Sequence, residues 1–172
     1  MRVENMNTYP YRTYAEIDLN KMQHNLRQVR AAIGPDCKLL FVLKADAYGH
    51  GAVQVSRVLE ELGADYLAVS SLDEAMELRA GGIHMPILIL GHTPPERVEE
   101  LLRYHITQAV TCEAKALEYS TEAVRCGGTL KVHIKVDTGM SRLGFLCGGD
   151  HFETGVAGIC AACTLPGLEA EG

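Results

Sequence analysis

Short apolar runs alternate with longer amphipathic stretches along most of the chain. The runs are Leu39–Leu43, Tyr66–Ser70, Ile87–Leu90, Thr107–Val110 and Leu130–Val136. Each is too short for a good helix and rich in residues that tolerate burial on both faces, as strands of a parallel sheet do. The stretches between them carry helix punctuation. Asp18 or Asn20 caps a helix that runs to Ile33, where Gly34-Pro35 stops it. Val55, Val58, Leu59 and Leu62 line one face of a second helix, Val53–Leu62, closed by Gly63. Ser71 caps Leu72–Arg79, Thr93-Pro94-Pro95 opens a helix ending near Tyr104, and Thr111 starts a fifth closed by Gly127-Gly128.

Strand starts at Lys38, Tyr66, Ile87, Thr107 and Leu130 are spaced by 28, 21, 20 and 23 residues. So regular a βα repeat predicts an α/β fold with a parallel sheet and right-handed crossovers. It closes either as a doubly wound sheet or as a (β/α)8 TIM-type barrel. No GxGxxG follows the first strand, which disfavours a dinucleotide-binding sheet. A barrel takes about 250 residues. The 172 residues supply five βα units and the opening of a sixth strand at Leu168–Glu171, so the pattern predicts about two-thirds of a barrel, ended in mid-strand. Thr13–Leu19 alternates Tyr14, Ile17 and Leu19 with polar neighbours and is read as an exposed strand outside the repeat.

Composition narrows the function. At 47% hydrophobic and 22% charged, the chain has the make-up of a globular domain. No apolar stretch approaches the roughly 20 residues of a membrane span. Met1–Tyr11 lacks the apolar core of a secretory signal, so a cytoplasmic location is expected. The net charge of −6, without a run of like charges, argues against a nucleic-acid or membrane-surface partner. Of six cysteines only Cys160 and Cys163 form a CxxC, and buried reduced thiols are preferred over a redox pair. The histidines show no HxxxH or HExxH spacing, so no metal site is expected, and GxSxG and phosphate-loop motifs are absent. The paired acids Glu60-Glu61 and Asp73-Glu74 are read as solvated helix faces.

Two loops carry candidate chemistry. Lys44 ends the first strand and is followed by Ala-Asp-Ala-Tyr-Gly-His-Gly through Gly51. In a parallel barrel the reaction site lies at the C-terminal ends of the strands. A lysine partly desolvated there either forms a Schiff base with a carbonyl or simply snorkels to solvent, and spacing alone leaves both open. Tyr48 and His50 share its loop, where a phosphate or reacting centre is in reach. Arg142 stands in the matching loop after the fifth strand, flanked by Lys135 and Asp137. Its planar fork suits a carboxylate, and a surface ion pair is the alternative.

These residues carry a resemblance. Val42-Leu43-Lys44-Ala45-Asp46-Ala47-Tyr48-Gly49-His50-Gly51 resembles the pyridoxal-phosphate lysine motif of alanine racemases. Lys135-Val136-Asp137-Thr138-Gly139-Met140-Ser141-Arg142-Leu143-Gly144 resembles that family's second hallmark. Ala15–Leu19 with His24-Asn25-Leu26, and Leu165–Leu168 with Glu171-Gly172, match its entry segment and its next barrel strand. Order and spacing agree from about Tyr14 to Gly172.

The resemblance implies a two-domain homodimeric enzyme that interconverts L- and D-alanine for peptidoglycan. Residues 1–13 would be a lead-in and 14–172 part of the N-terminal barrel domain, with the C-terminal β domain absent. Lys44 would hold pyridoxal 5'-phosphate as an internal aldimine and, once freed, act as base on D-alanine. Tyr48 would bond the cofactor phosphate, and Arg142 would face the substrate carboxylate. Lys135 matches a lysine that is often carbamylated and steadies that arginine. Serine or broad-specificity racemisation, or noncatalytic pyridoxal-phosphate binding, are the alternatives. The sequence departs from the family at Ser141, where glycine is usual, and at Leu146–Gly158, whose glycines read poorly as the helix expected there. The tyrosine that serves as opposite base belongs to the absent domain, so turnover by these residues alone is not expected. An open barrel edge predicts low solubility or association.

Overall fold

The computed structural model describes residues 13–172. Of the lead-in expected over residues 1–13, all but Thr13 lies outside the described residues. Among the described residues, seven helices and eight strands run in the order α1 (Leu19–Ile33), β1 (Leu40–Val42), α2 (Lys44–Gly49), α3 (Ala52–Glu61), β2 (Tyr66–Val69), α4 (Leu72–Ala80), β3 (Ile87–Ile89), α5 (Val98–Arg103), β4 (Ile106–Val110), α6 (Glu113–Arg125), β5 (Leu130–Ile134), β6 (Val136–Asp137), β7 (Phe145–Leu146), α7 (Phe152–Cys163) and β8 (Leu168–Ala170).

Six strands form one parallel sheet in the order β1-β2-β3-β4-β5-β8. Each is joined to the next through a helix on one face, the repeat expected of a (β/α) barrel. Alternation along the strands separates two layers. Leu67, Val69, Ile87, Ile89, Ile106, Val110, Leu130 and Val132 face the helices and join Leu59, Leu72, Leu78, Leu101 and Tyr119 in the main core. Ala68, Leu88 and Ala109, with Tyr66 and Leu90, form a separate cluster on the other face, the barrel interior.

Three expectations are corrected. Thr13–Asp18 is not a strand: the segment is irregular up to α1, whose first turn is capped by the Asp18 carboxylate accepting from Asn20 and Lys21 amides at 3.0 and 3.1 Å. Leu146–Gly158 does contain the helix its glycines argued against. In α7, Gly155 and Gly158 are buried, and a Cβ at either would run into the Leu146 carbonyl or the Glu113 carboxylate. Those glycines permit close packing and do not break the helix. The run Leu130–Val136 is not uniformly apolar in setting: β5 ends at Ile134, and Lys131 and His133 point into the barrel while Leu130 and Val132 face the core. Among the described residues no helix is long and apolar enough to cross a membrane.

Candidate functional site

The C-terminal rim of the sheet carries both candidate loops. The β1–β2 ladder runs one bond beyond β1, the Leu43 amide donating to the Ala68 carbonyl at 2.7 Å, so Lys44 leaves the strand from a fixed point. The next four residues depart from ordinary backbone geometry. Ala45, Asp46, Ala47 and Tyr48 all take φ between 52 and 55° and ψ between 38 and 51°, a single turn of left-handed helix in four non-glycine residues. For L-residues this conformation costs about 1–2 kcal/mol each. Such strain persists where surrounding bonds over-determine it, and it clusters at functional sites.

Those bonds are present. The Ala47 amide donates to the Leu43 carbonyl at 2.8 Å and the Gly51 amide to the Asp46 carbonyl at 3.1 Å. The Asp46 carboxylate accepts the Ala52 amide at 2.6 Å, capping α3, whose N-cap Gly51 has no side chain to do so. His50 Nδ1 lies 2.8 Å from the Ala47 carbonyl. The Glu74 carboxylate, from the first turn of α4, accepts the Ala45 amide at 2.8 Å. Lys44 is half-buried at this rim, its Nζ 5.9 Å from the centre of the Tyr48 ring, and Tyr48 itself is 61% exposed.

The second loop is braced at both ends. The Lys135 amide donates to the Val110 carbonyl at 2.9 Å, and the Phe145 amide to the Lys135 carbonyl at 2.8 Å. β6 and β7 pair across the loop base. Asp137 accepts the Gly139 and Ser141 amides at 2.9 and 3.0 Å, and these bonds hold its carboxyl below the usual carboxylate range. Asp137 therefore secures its own loop and is not the partner of Arg142. Ser141 sits at φ 55°, a left-handed position, which explains in physical terms why glycine would be at ease there. Arg142 is exposed, Lys135 half-buried, and among the described residues neither side chain makes an ion pair or hydrogen bond. The structure thus brings Lys44 with Tyr48, and places Lys135 and Arg142 on the same rim without joining them.

Two features were missed from sequence. Glu74 and Glu60 are not solvated acids. Besides Ala45, Glu74 accepts the Ser70 amide and hydroxyl at 2.7 and 2.8 Å; burial pushes its carboxyl up, but these donors together bring it below the ordinary value. Glu60 accepts the His84 and Met85 amides, both at 3.0 Å. The Ser71-x-x-Glu74 spacing was the available signal, but it advertises a helix cap and not a bond to a neighbouring strand. The second feature is a polar network inside the barrel, where Glu171, Tyr66, Thr107 and Lys131 meet beside a cavity of about 310 Å³. This cavity opens among the strand starts, at the opposite end from Lys44. The cysteines also differ from expectation, since none is buried. Cys160 and Cys163 lie exposed at the C-terminal end of α7. Among the described residues no group of three or more His, Cys, Asp and Glu is placed to hold a metal ion.

The geometry has relatives. Residues 17–172 match the family model for the alanine racemase N-terminal domain. The chain belongs to that family. It is 43% identical over 159 residues to an alanine racemase of Desulforamulus reducens, covering 92% of this chain and 42% of that protein. It is 44% identical over 134 residues to an amino-acid racemase of Enterococcus faecalis, covering 78% of this chain and 18% of that protein. Among solved structures, alanine racemase of Clostridium difficile superposes with a TM-score of 0.87 at 39% identity, covering 95% of this chain and 42% of that one. The chain thus spans about two-fifths of the alanine racemases it matches. The six-stranded sheet belongs to the family's TIM-barrel-type domain. A lysine beside a rigid turn, a neighbouring phenol and a guanidinium on the same rim are groups able to take an aldehyde, a phosphate and a carboxylate.

Proposed function

We propose that this chain is the barrel part of a pyridoxal-phosphate-dependent amino-acid racemase that interconverts L- and D-alanine and so supplies D-alanine for peptidoglycan in the cytoplasm. The observation that supports it most is the placement of Lys44. An amine at the end of a strand, on a turn strained in four successive residues and tied by three neighbouring side chains, is set for chemistry and not for packing. Lys44 is the residue to hold the cofactor. Tyr48, beside it, would donate its phenol to the cofactor phosphate. When bound, the cofactor draws electrons from the substrate α-carbon and so acidifies its hydrogen.

The chain's own residues then divide the work. The freed Lys44 amine takes the α-hydrogen from D-alanine, and returning it to the same face regenerates D-alanine. Inversion requires a proton from the opposite face, hence a second base. We assign that base to the C-terminal β domain, contributed across a homodimer, beyond the two-fifths of the relatives matched here. Arg142 forks the substrate carboxylate, and Lys135, carbamylated to carry a negative charge, braces Arg142. A broader substrate range is the second reading, favoured by the match to the Enterococcus faecalis amino-acid racemase.

The test is borohydride reduction of the purified protein with pyridoxal phosphate, followed by peptide mapping. One adduct on Lys44, lost in Lys44→Ala, is expected. Label spread over surface lysines overturns the assignment. Racemisation rates on L-alanine against L-serine decide between the two substrate readings.

A further inference from the structure

One carboxylate outside the residues assigned to the reaction is committed to the turn on which Lys44 stands. We propose that Glu74 is a positioning residue for Lys44, its carboxylate tying the left-handed turn that follows Lys44, at the end of β1, to the end of β2. The proposal rests on reading Lys44 as the cofactor lysine.

Glu74 Oε1 accepts the amide of Ala45, the residue directly after Lys44, at 2.8 Å. Its Oε2 accepts both the amide and the hydroxyl of Ser70, which directly follows β2, at 2.7 and 2.8 Å. A single side chain therefore spans the rim between two adjacent strands. The bond to Ala45 enters at the first left-handed residue, where the β-ladder has ended and no helical ladder has begun. Leu43 still pairs with Ala68, and the next backbone bond within the turn is made by Ala47. Glu74 fills the gap between them, so it governs the direction in which the chain leaves Lys44.

The chemistry requires a carboxylate. Three donors converge on it, and both oxygens accept. A glutamine offers one accepting oxygen and one donating nitrogen, so one side of the bridge opposes donor to donor. Bonds to an ionised acceptor are also the stronger kind. Ser71 caps α4 through its hydroxyl, which accepts the Glu74 amide at 3.3 Å without using the Glu74 carboxylate. Loss of the Glu74 carboxylate therefore leaves the helix its cap and removes the tie to Lys44.

The test compares the full-length wild-type protein with Glu74→Gln and Ser70→Ala by three measurements: amide hydrogen exchange, pyridoxal-phosphate titration by absorbance, and thermal unfolding. Glu74→Gln is expected to speed exchange at Ala45 and Ser70 by about tenfold and to weaken cofactor affinity by about tenfold, with unfolding still cooperative. Ser70→Ala, which removes one of the three donors, moves both readouts less and in the same direction. Unchanged exchange at Ala45 in Glu74→Gln overturns the proposal, whatever happens to affinity. If Glu74→Gln does not fold, Ser70→Ala decides: no change in Ala45 exchange overturns it. Failure of the wild type to take cofactor on Lys44 overturns the functional reading instead, and the exchange comparison still reports whether Glu74 sets the turn.

Discussion

Glu171 and Tyr66 meet across the barrel interior, the tyrosine hydroxyl donating to Glu171 Oε1 at 2.6 Å although β8, which Glu171 follows, lies four strands from β2 in the sheet order. Thr107 donates to the same oxygen at 2.9 Å, and Lys131 Nζ to the other at 2.8 Å. One carboxylate thus ties three strand positions on the inner face, in β2, β4 and β5. Burial pushes the Glu171 carboxyl up, but Lys131, Tyr66 and Thr107 outweigh it and bring it down to about 2. Burial and the neighbouring Glu171 together push the Tyr66 phenol up to about 12.

Those shifts contribute to the pH dependence of stability. A carboxyl depressed in the folded state contributes stability that is full above its unfolded value, near 4.5, and is lost as pH falls toward about 2. Tyr66 is raised when folded, so its contribution is full below 10 and is lost as pH climbs toward about 12. Glu171→Gln keeps an acceptor for the two hydroxyls and returns the largely exposed Lys131 to solvent. Solvent screening keeps the cost at pH 7 to about 1 kcal/mol, and the loss of stability between pH 4.5 and 2 is expected to shrink, as denaturant titrations across pH will report. An unchanged acid limb would show that the network contributes nothing to folding.

Arg79 performs a related task at the strand starts. Its guanidinium donates to the carbonyls of Tyr104, Ile83, Met85 and His105 at 3.0, 2.8, 2.8 and 3.2 Å, joining the entry of β3 to the turn before β4. His105 in that turn has φ 51°, a left-handed backbone for a residue with a side chain. Lysine offers three donors on one nitrogen and cannot span four carbonyls as the planar fork does. Arg79→Lys is therefore expected to lose about 2 kcal/mol, a fall of some 4–8 °C in Tm, with no change in cofactor affinity at the far rim. Loss of affinity at unchanged Tm would contradict this separation of the two ends.

The loop that presents Arg142 depends on Gly144. Its φ is 130°, and a Cβ there would stand 2.7 Å from the Asp137 nitrogen and 2.8 Å from the Lys135 oxygen. Both are backbone atoms that cannot swing aside. Gly144→Ala is expected to cost about 1–3 kcal/mol and to displace the Arg142 tip. Under the proposed function, KM for alanine should rise more than kcat falls, because carboxylate binding is the contact disturbed. Wild-type kinetics in this variant would show that the loop does not present the substrate-binding arginine.

The repeat of strands and helices was legible because burial on both faces leaves apolar runs, and caps such as Ser71 mark where helices begin. The chemistry of Lys44 and Arg142 was legible as motif. The left-handed turn was not, since four non-glycine residues at positive φ contradict local preference and are held by the side chains of Asp46, His50 and Glu74 through bonds that no local pattern announces. The same holds for Glu74 and Glu171: helix and strand periodicity assign a residue to a face, but say nothing of which amide or hydroxyl waits across the gap. Gly155 and Gly158 misled for the converse reason, their value lying in contacts with Leu146 and Glu113 that sequence distance conceals.

Asp46 offers the sharpest separation of stability from site geometry. Its Oδ1 accepts the Ala52 amide at 2.6 Å, which places it as the side-chain cap of α3 although the N-cap position itself is Gly51. It is also the second residue of the left-handed turn, at φ 54°. Asparagine keeps the accepting oxygen and is more at ease in this backbone region; alanine loses the oxygen and pays the strain without a side-chain bond to offset it. Asp46→Asn is therefore expected to fall within about 0.5 kcal/mol of wild type, and Asp46→Ala to lose about 1–2 kcal/mol. Lys44 labelling after borohydride reduction should persist in the asparagine variant and drop in the alanine variant. Equal labelling in both, with only stability lost in Asp46→Ala, would show that capping α3 and aiming Lys44 are independent.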